Sequence, residues 1–180
     1  MKSVLIIGMG RLGHHLCKNL AEMGNEVMIV DRDEESMQDL LSVAMMAKVG
    51  DCTKEDVLRS LGVGNFDICF VCISSDFQSS LEITSLLKEL GAAYVVSKAN
   101  RDIQAKFLLR NGADEVIYPE RDVAERAAIK YGSNKVFDYI EMAEGYSILE
   151  IPPRHGWIGK SIGQLASRSV YHVRIIGSNV

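Results

Sequence analysis

Gly8, Gly10 and Gly13 stand at G-x-G-x-x-G spacing in the run GMGRLG, and Asp31 follows 18 residues after the last of them. The chemistry this pattern offers is recognition of a phosphorylated sugar. The first glycine allows a tight turn, the second lets backbone come close to a phosphate, and the third lets a helix pack closely on a strand. Backbone N–H groups and the positive dipole end of that helix favour an anion. A carboxylate at about this offset accepts hydrogen bonds from ribose hydroxyls. A turn serving packing alone would explain Gly13 and leave Gly10 and Asp31 without a reason. The whole turn, Gly8, Met9, Gly10, Arg11, Leu12 and Gly13, is therefore a candidate nucleotide contact, with Asp31 facing it.

The surrounding residues supply the elements that must hold these groups. Val4–Ile7 reads as a strand, Arg11–Met23 as a helix and Val27–Val30 as a second strand closed by Asp31. Glu34–Met45 carries Met37, Leu40, Leu41 and Ala44 at helical spacing, and Ala47–Val49 reads as a third strand. Gly50, Asp51, Cys52 and Thr53 then lie at a strand's carboxyl end, where ligands bind in open parallel sheets. The alternative for Asp51 and Thr53 is an N-cap for a helix over Lys54–Leu61. Asp67–Ser74 is apolar nearly throughout, as a strand covered on both faces requires, and places Ser74 and Ser75 beside the glycine turn. Helices over Phe77–Leu90 and Asp102–Asn111 alternate with strands over Tyr94–Ser97 and Glu115–Tyr118, and a helix follows over Glu120–Tyr131. The expected fold is a Rossmann-type, doubly wound α/β sheet of six parallel strands in the order 3-2-1-4-5-6. A nucleotide-binding domain over 1–132, a linker over 133–144 and part of a small α+β domain over 145–180 complete the division. In that last piece, YSILEI alternates, Pro152-Pro153 breaks it, Ile162–Ala166 is helical and His172–Ile176 reads as a strand. About 35 residues are too few to stand alone, so this piece reads as the front part of a second domain.

Composition narrows the classes further. The 180 residues carry a net charge of −4 and contain no basic run, which disfavours nucleic acid as a partner. No apolar run approaches the roughly 18 residues that span a bilayer, and the N-terminus enters a strand without a signal-peptide pattern. The expected location is the cytoplasm. Cys69 and Cys72 form a C-x-x-C inside an apolar run, where residues three apart face opposite sides of a strand, so neither a metal nor a redox pair is expected there. Tyr94 and Lys98 match a Y-x-x-x-K dehydrogenase pattern that needs a helix. On a strand they would be about 13 Å apart, and the match is read as accidental.

With these residues in place, the chain resembles the RCK (regulator of potassium conductance) domains of Trk and Ktr potassium-uptake systems, a TrkA-N domain followed by the start of a TrkA-C domain. GMGRLG with Arg11, Val30-Asp31, Gly50-Asp51-x-Thr53, Lys98-Ala99 and the run from Gly112 to Glu120 (GADEVIYPE) carry the resemblance. It implies a regulatory subunit without enzymatic activity, a homodimer assembling into a ring, an octamer in such systems, and a membrane potassium-transporting partner. It places the helix over 120–131 and a crossover helix over 135–143 at a subunit interface. It implies an adenine nucleotide, ATP, ADP or AMP in Ktr-type relatives and NAD or NADH in Trk-type ones, and a divalent cation held between symmetry-related copies of Glu120. Arg11 adds a charge-assisted partner for phosphate, Asp31 would repel a ribose 2′-phosphate, and Arg32 either softens that repulsion or lies over the adenine ring or in solvent. Three functions stay open at this point: a nucleotide-sensing regulatory subunit, a small NAD-dependent oxidoreductase, and a nucleotide-binding scaffold. Against the oxidoreductase, about 140 residues are used by the nucleotide fold, and His14, His15, His155 and His172 lack a partner acid near the cleft.

Overall fold

The computed structural model describes residues 1–132, 138–143, 146–165 and 167–177. Its first compact unit, Met1–Asp122, holds six strands: β1 (Ser3–Ile7), β2 (Glu26–Asp31), β3 (Met46–Val49), β4 (Ile68–Val71), β5 (Val95–Lys98) and β6 (Glu115–Ile117). All pair in parallel in the order β3-β2-β1-β4-β5-β6. The order reverses between β1 and β4, where Ile7 pairs with both Val30 and Val71. That reversal splays the following loops apart and opens a crevice at the carboxyl edge.

Alternation along the strands divides the core into two layers. Leu5, Ile7, Met28 and Val30 point to one face with Cys69, while Val4, Ile6, Val27 and Ile29 point to the other with Cys72. Because both faces are buried, these strands read as continuous apolar runs. Each fully buried Leu or Ile contributes about 1.5–3 kcal/mol. The helices α1 (Arg11–Glu22), α2 (Glu55–Leu61), α3 (Phe77–Glu89) and α4 (Asp102–Arg110) cover the sheet. No helix among the described residues is long and apolar enough to cross a membrane.

Three segments differ from the sequence expectation. Glu34–Met45 contains a 3-10 turn over Glu35–Leu40 where a longer α-helix was expected. Asp33 explains the tighter winding: its side chain accepts from the Glu35 N–H at 3.1 Å, and its carbonyl accepts from the Ser36 hydroxyl at 2.7 Å. Such local bonds compete with α-helical ones. Met37 and Leu40 are nonetheless buried as their spacing implied.

The second difference concerns the crossover helix expected over 133–144. Residues 138–143 form a strand, β7 (Asp138–Ala143), antiparallel to β8 (Tyr146–Glu150) with an irregularity between Glu141 and Ala143. Tyr139 and Ile140 fall opposite Leu149 and Ile148, and such aromatic and β-branched residues suit a ladder. The remaining residues of that expectation, 133–137 and 144, lie outside the described ones.

Third, the strand expected over His172–Ile176 forms no ladder among the described residues. A strand without a paired neighbour has no partner for its backbone groups. The second compact unit, Val123–Val180, holds β7, β8, two 3-10 turns and α6 (Ser167–Tyr171). The helix α5 (Pro119–Gly132) begins in the first unit and continues into the second. Pro119 is its first residue, where a missing N–H costs nothing.

Candidate functional site

The crevice is built from its glycines outward. Gly8 has φ +95°, and a Cβ there would approach Ile73 Cγ1 to 3.0 Å and the Cys72 carbonyl carbon to 3.2 Å. Its N–H donates to the Val30 carbonyl at 2.9 Å, tying the turn to β2. A Cβ on Gly13 would collide with the Gly8 carbonyl oxygen. Gly10 differs. Its Cβ would meet the Cys72 carbonyl oxygen at 4.0 Å and nothing closer, so packing does not explain the absence of a side chain. Gly10 is also the N-cap of α1 and gives it no side-chain cap. The first amides of the helix therefore face the crevice, where an anion suits them.

Asp31 closes the near wall. Its Oδ2 accepts from the Met9 N–H at 2.6 Å and its Oδ1 from the Asp33 N–H at 3.0 Å. Each oxygen keeps lone-pair capacity for a further donor. Beyond β3, the Asp51 carboxylate accepts from the Thr53 N–H at 3.0 Å and the Thr53 hydroxyl at 2.7 Å. These two bonds, helped by the Lys54 and Arg32 charges, hold its pKa below the usual carboxylate range. The alternative of an N-cap is not realised: Lys54 occupies that position without a side-chain cap, because Asp51 closes a local turn onto Thr53 instead.

The far wall comes from the loops after β4, β5 and β6. Lys98 Nζ donates to Ser74 Oγ at 2.8 Å and lies 3.5 Å from Glu120 Oε1. Asn100 Nδ2 donates to the Ser74 carbonyl at 2.9 Å. Asp76 caps α3 by accepting from the Ser79 N–H at 3.2 Å and the Ser79 hydroxyl at 2.6 Å, which lowers its pKa. Tyr94 instead donates to Glu115 at 3.1 Å, at the opposite end of β5 from Lys98. The Y-x-x-x-K match is thus unrelated to this site.

The resulting cavity is about 750 Å³, within the range that holds a small-molecule ligand. Of the site residues read from sequence, Gly8, Gly10, Arg11, Leu12, Asp31, Arg32, Asp51, Cys52, Thr53, Ser74, Ser75, Lys98 and Glu120 all line it. Met9 and Gly13 do not. Met9 turns its side chain into the core and offers its amide to Asp31, while Gly13 lies behind the turn against Gly8. His15, Ser79 and Asn100 line it without having been foreseen. His15 lies one helical turn beyond Arg11, a spacing that could have placed it on the same face. Ser79 and Asn100 carry no such signal.

Charge in the crevice is unevenly satisfied. Arg11 is exposed and has no ion-pair or hydrogen-bond partner among the described residues. Cys52 and Cys72 are buried, and desolvation pushes both thiols up to about 12, leaving them protonated. Among the described residues no group of three or more His, Cys, Asp or Glu is placed to hold a metal. Glu120 contributes one carboxylate, with an ammonium group beside it. Within one chain that donor set does not fit a divalent cation.

These strand-end loops coincide with a family pattern, since the TrkA-N domain model matches residues 4–119. The chain belongs to the TrkA-N domain family. This TrkA-N chain is 40% identical over 175 residues to the Ktr system potassium uptake protein C of Bacillus subtilis, an alignment covering 97% of this chain and 79% of that relative. It is 37% identical over 175 residues to the Ktr system potassium uptake protein A of the same organism, with the same coverage. Among solved structures, the GsuK channel bound to NAD superposes with a TM-score of 0.71 at 17% identity, over 93% of this chain and 31% of that one. At that identity the likeness is one of fold.

Proposed function

We propose that this TrkA-N chain is a cytosolic, nucleotide-sensing regulatory subunit of a Ktr-type potassium uptake system. The observation carrying this reading is the open cradle at Gly10, facing Arg11 and Asp31. Uncapped amides take a phosphate, Asp31 takes ribose hydroxyls, and the loop from Asp51 to Thr53 faces the adenine side. The ligand is an adenine nucleotide, ATP, ADP or AMP by likeness to Ktr proteins, with NAD or NADH as the other candidates. The NAD bound in the GsuK channel supports the dinucleotide.

Nucleotide binding does work on a partner only when two shapes of the assembly bind it with different affinity. We place the shape change in a homodimer that builds a ring, octameric by likeness. The helix α5 supports an interface, because it buries none of its residues within the chain and exposes Val123 and Tyr131. The membrane potassium-transporting subunit is the partner, which brings this chain to the inner face of the cell membrane. Sensing rather than turnover fits the crevice chemistry, whose two thiols are protonated.

Thermal shift and light scattering on the purified chain, with ATP, ADP, AMP, NAD and NADH, test the proposal. Stabilisation by at least one of these together with a change in assembled mass or shape is the expected result. Cofactor oxidation or reduction with a small substrate, or no binding at all, would refute it.

A further inference from the structure

His14 straps the helix of the glycine turn to the loop that leaves Asp31. Its Nε2 lies 2.7 Å from the Ser36 carbonyl oxygen, and its Nδ1 lies 3.6 Å from Asp39 Oδ2. A carbonyl oxygen only accepts, so Nε2 carries a proton in every state of the ring that makes this bond. Neutral His14 then turns the Nδ1 lone pair toward a carboxylate, and protonated His14 turns an N–H toward it. The ring therefore holds the 3-10 turn Glu35–Leu40 by one bond when neutral, and by that bond and an ion pair when charged.

The strap continues into the crevice. Ser36 Oγ donates to the Asp33 carbonyl at 2.7 Å, the Asp33 N–H donates to Asp31 Oδ1 at 3.0 Å, and Asp31 Oδ2 takes the Met9 N–H. On the helix side, the His14 N–H donates to the Gly10 carbonyl at 3.0 Å. The loop over 32–36 is thus fixed at both ends, by Asp31 to the glycine turn and by His14 to α1. Arg32 lines the crevice from within that loop, while His14 lies outside the lining. The charges facing the ring are Asp39 and, on its own helix, Lys18, whose Nζ is 3.1 Å from the same Asp39 oxygen. The Lys18 bond holds the Asp39 carboxyl below the usual carboxylate range, so it stays charged through neutral pH. Cys17 beside them is a buried thiol pushed up by desolvation, and β1 and β2 present the apolar Val4, Ile6, Val27 and Ile29 to α1.

We propose that His14 is a proton-controlled positioning residue for the ribose side of the crevice, holding the loop over 32–36 ready for a nucleotide when charged and less firmly when neutral. This rests on the nucleotide reading above. A loop ordered beforehand spares the ligand the cost of ordering it. Histidine changes charge between about pH 5 and 8, so affinity rises as pH falls through that window. Because the effect passes through the loop and not through phosphate, mononucleotide and dinucleotide respond alike.

The test is titration calorimetry of the full chain with ADP and with NAD at pH 6 and pH 8, comparing wild type with His14→Gln, His14→Ala and Asp39→Asn. Glutamine keeps a donor for the Ser36 carbonyl and cannot charge. Wild-type affinity relative to His14→Gln should rise about threefold from pH 8 to pH 6, the size of a partly exposed ion pair. That comparison cancels the titration of the ligand's own phosphates. Asp39→Asn should remove the rise, and His14→Ala should bind more weakly than His14→Gln at both pH values. Nitrogen-15 spectra of the ring should place the proton on Nε2 at pH 8. Should His14→Ala fail to fold, the glutamine variant and the spectra still decide. A wild-type-to-glutamine ratio that ignores pH, a rise that survives Asp39→Asn, or a proton on Nδ1 at pH 8 overturns the inference while leaving the nucleotide reading standing. Wild-type protein that binds neither ligand overturns both.

Discussion

The Met9 backbone N–H donates to Asp31 Oδ2 at 2.6 Å, so the carboxylate that ends β2 holds the glycine turn it faces. The second oxygen of Asp31 accepts from Asp33 and fixes the loop that follows. One side chain therefore shapes the turn, orients its own lone pairs toward the crevice and anchors the next loop. Stability and the shape of the crevice are linked at this residue.

Asp31→Ala is expected to destabilise the fold by about 1–3 kcal/mol, the usual cost of leaving such donors unpaired, and to weaken every adenine nucleotide. Asp31→Asn, which keeps one carbonyl oxygen, should lose less stability. Urea unfolding followed by circular dichroism, with calorimetry for affinity, separates the two effects. Full stability with lost affinity in Asp31→Ala would contradict the anchoring role.

The glycines should respond differently to the same added methyl group. Gly13→Ala drives a Cβ into the Gly8 carbonyl oxygen and should cost more than about 2 kcal/mol, as overpacking does. Gly10→Ala meets no protein atom closer than 4.0 Å and should melt close to wild type while losing nucleotide affinity at least tenfold. A Gly10→Ala protein that binds normally would remove the phosphate from this turn.

Arg11 has no partner of its own among the described residues and reaches the crevice from the first position of α1. Arg11→Ala should weaken ATP more than AMP, by about tenfold in the ratio, because a charged pair with a terminal phosphate is lost. Calorimetry at two salt concentrations should show the larger salt dependence for wild type. Equal losses for both nucleotides would assign Arg11 to the first phosphate.

Alkaline pH should destabilise the fold through its buried thiols. Burial pushes Cys52, Cys69 and Cys72 up from 9.0 to about 12. Above pH 9 the unfolded chain releases protons that the folded chain retains, so stability falls between about pH 9 and 12. By pH 10 the loss is on the order of 1 kcal/mol per thiol. Denaturation midpoints at pH 8, 9 and 10 should drop less steeply in Cys69→Ala than in wild type. Parallel slopes would mean the thiol is not protected.

Local patterns carried much of the architecture. The glycine spacing, the apolar runs and the periodic helices needed neighbours a few residues away, and the structure reproduces their order in the sheet. Eleven of the crevice residues were legible for the same reason, since in a parallel sheet every strand's carboxyl end reaches one edge, while Lys98 and Glu120 came from the family resemblance. The 3-10 turn at Glu35–Leu40 escaped because its apolar spacing fits either winding, and Asp33 and Ser36 decided between them. The segment 138–143 escaped because short apolar runs read equally well as helix or strand.

By itself, then, the sequence determined the strand order, the layers and the acid and glycines that build the turn at the crevice, because each follows from short-range sterics and periodic burial. Tertiary structure alone decided that Met9 gives Asp31 its amide, that Lys98, Ser74 and Glu120 meet, and that Asp138–Ala143 pairs with Tyr146–Glu150 as a strand. Those relations join backbone groups and charges from separate elements, and their energies exist only once the chain has brought them together.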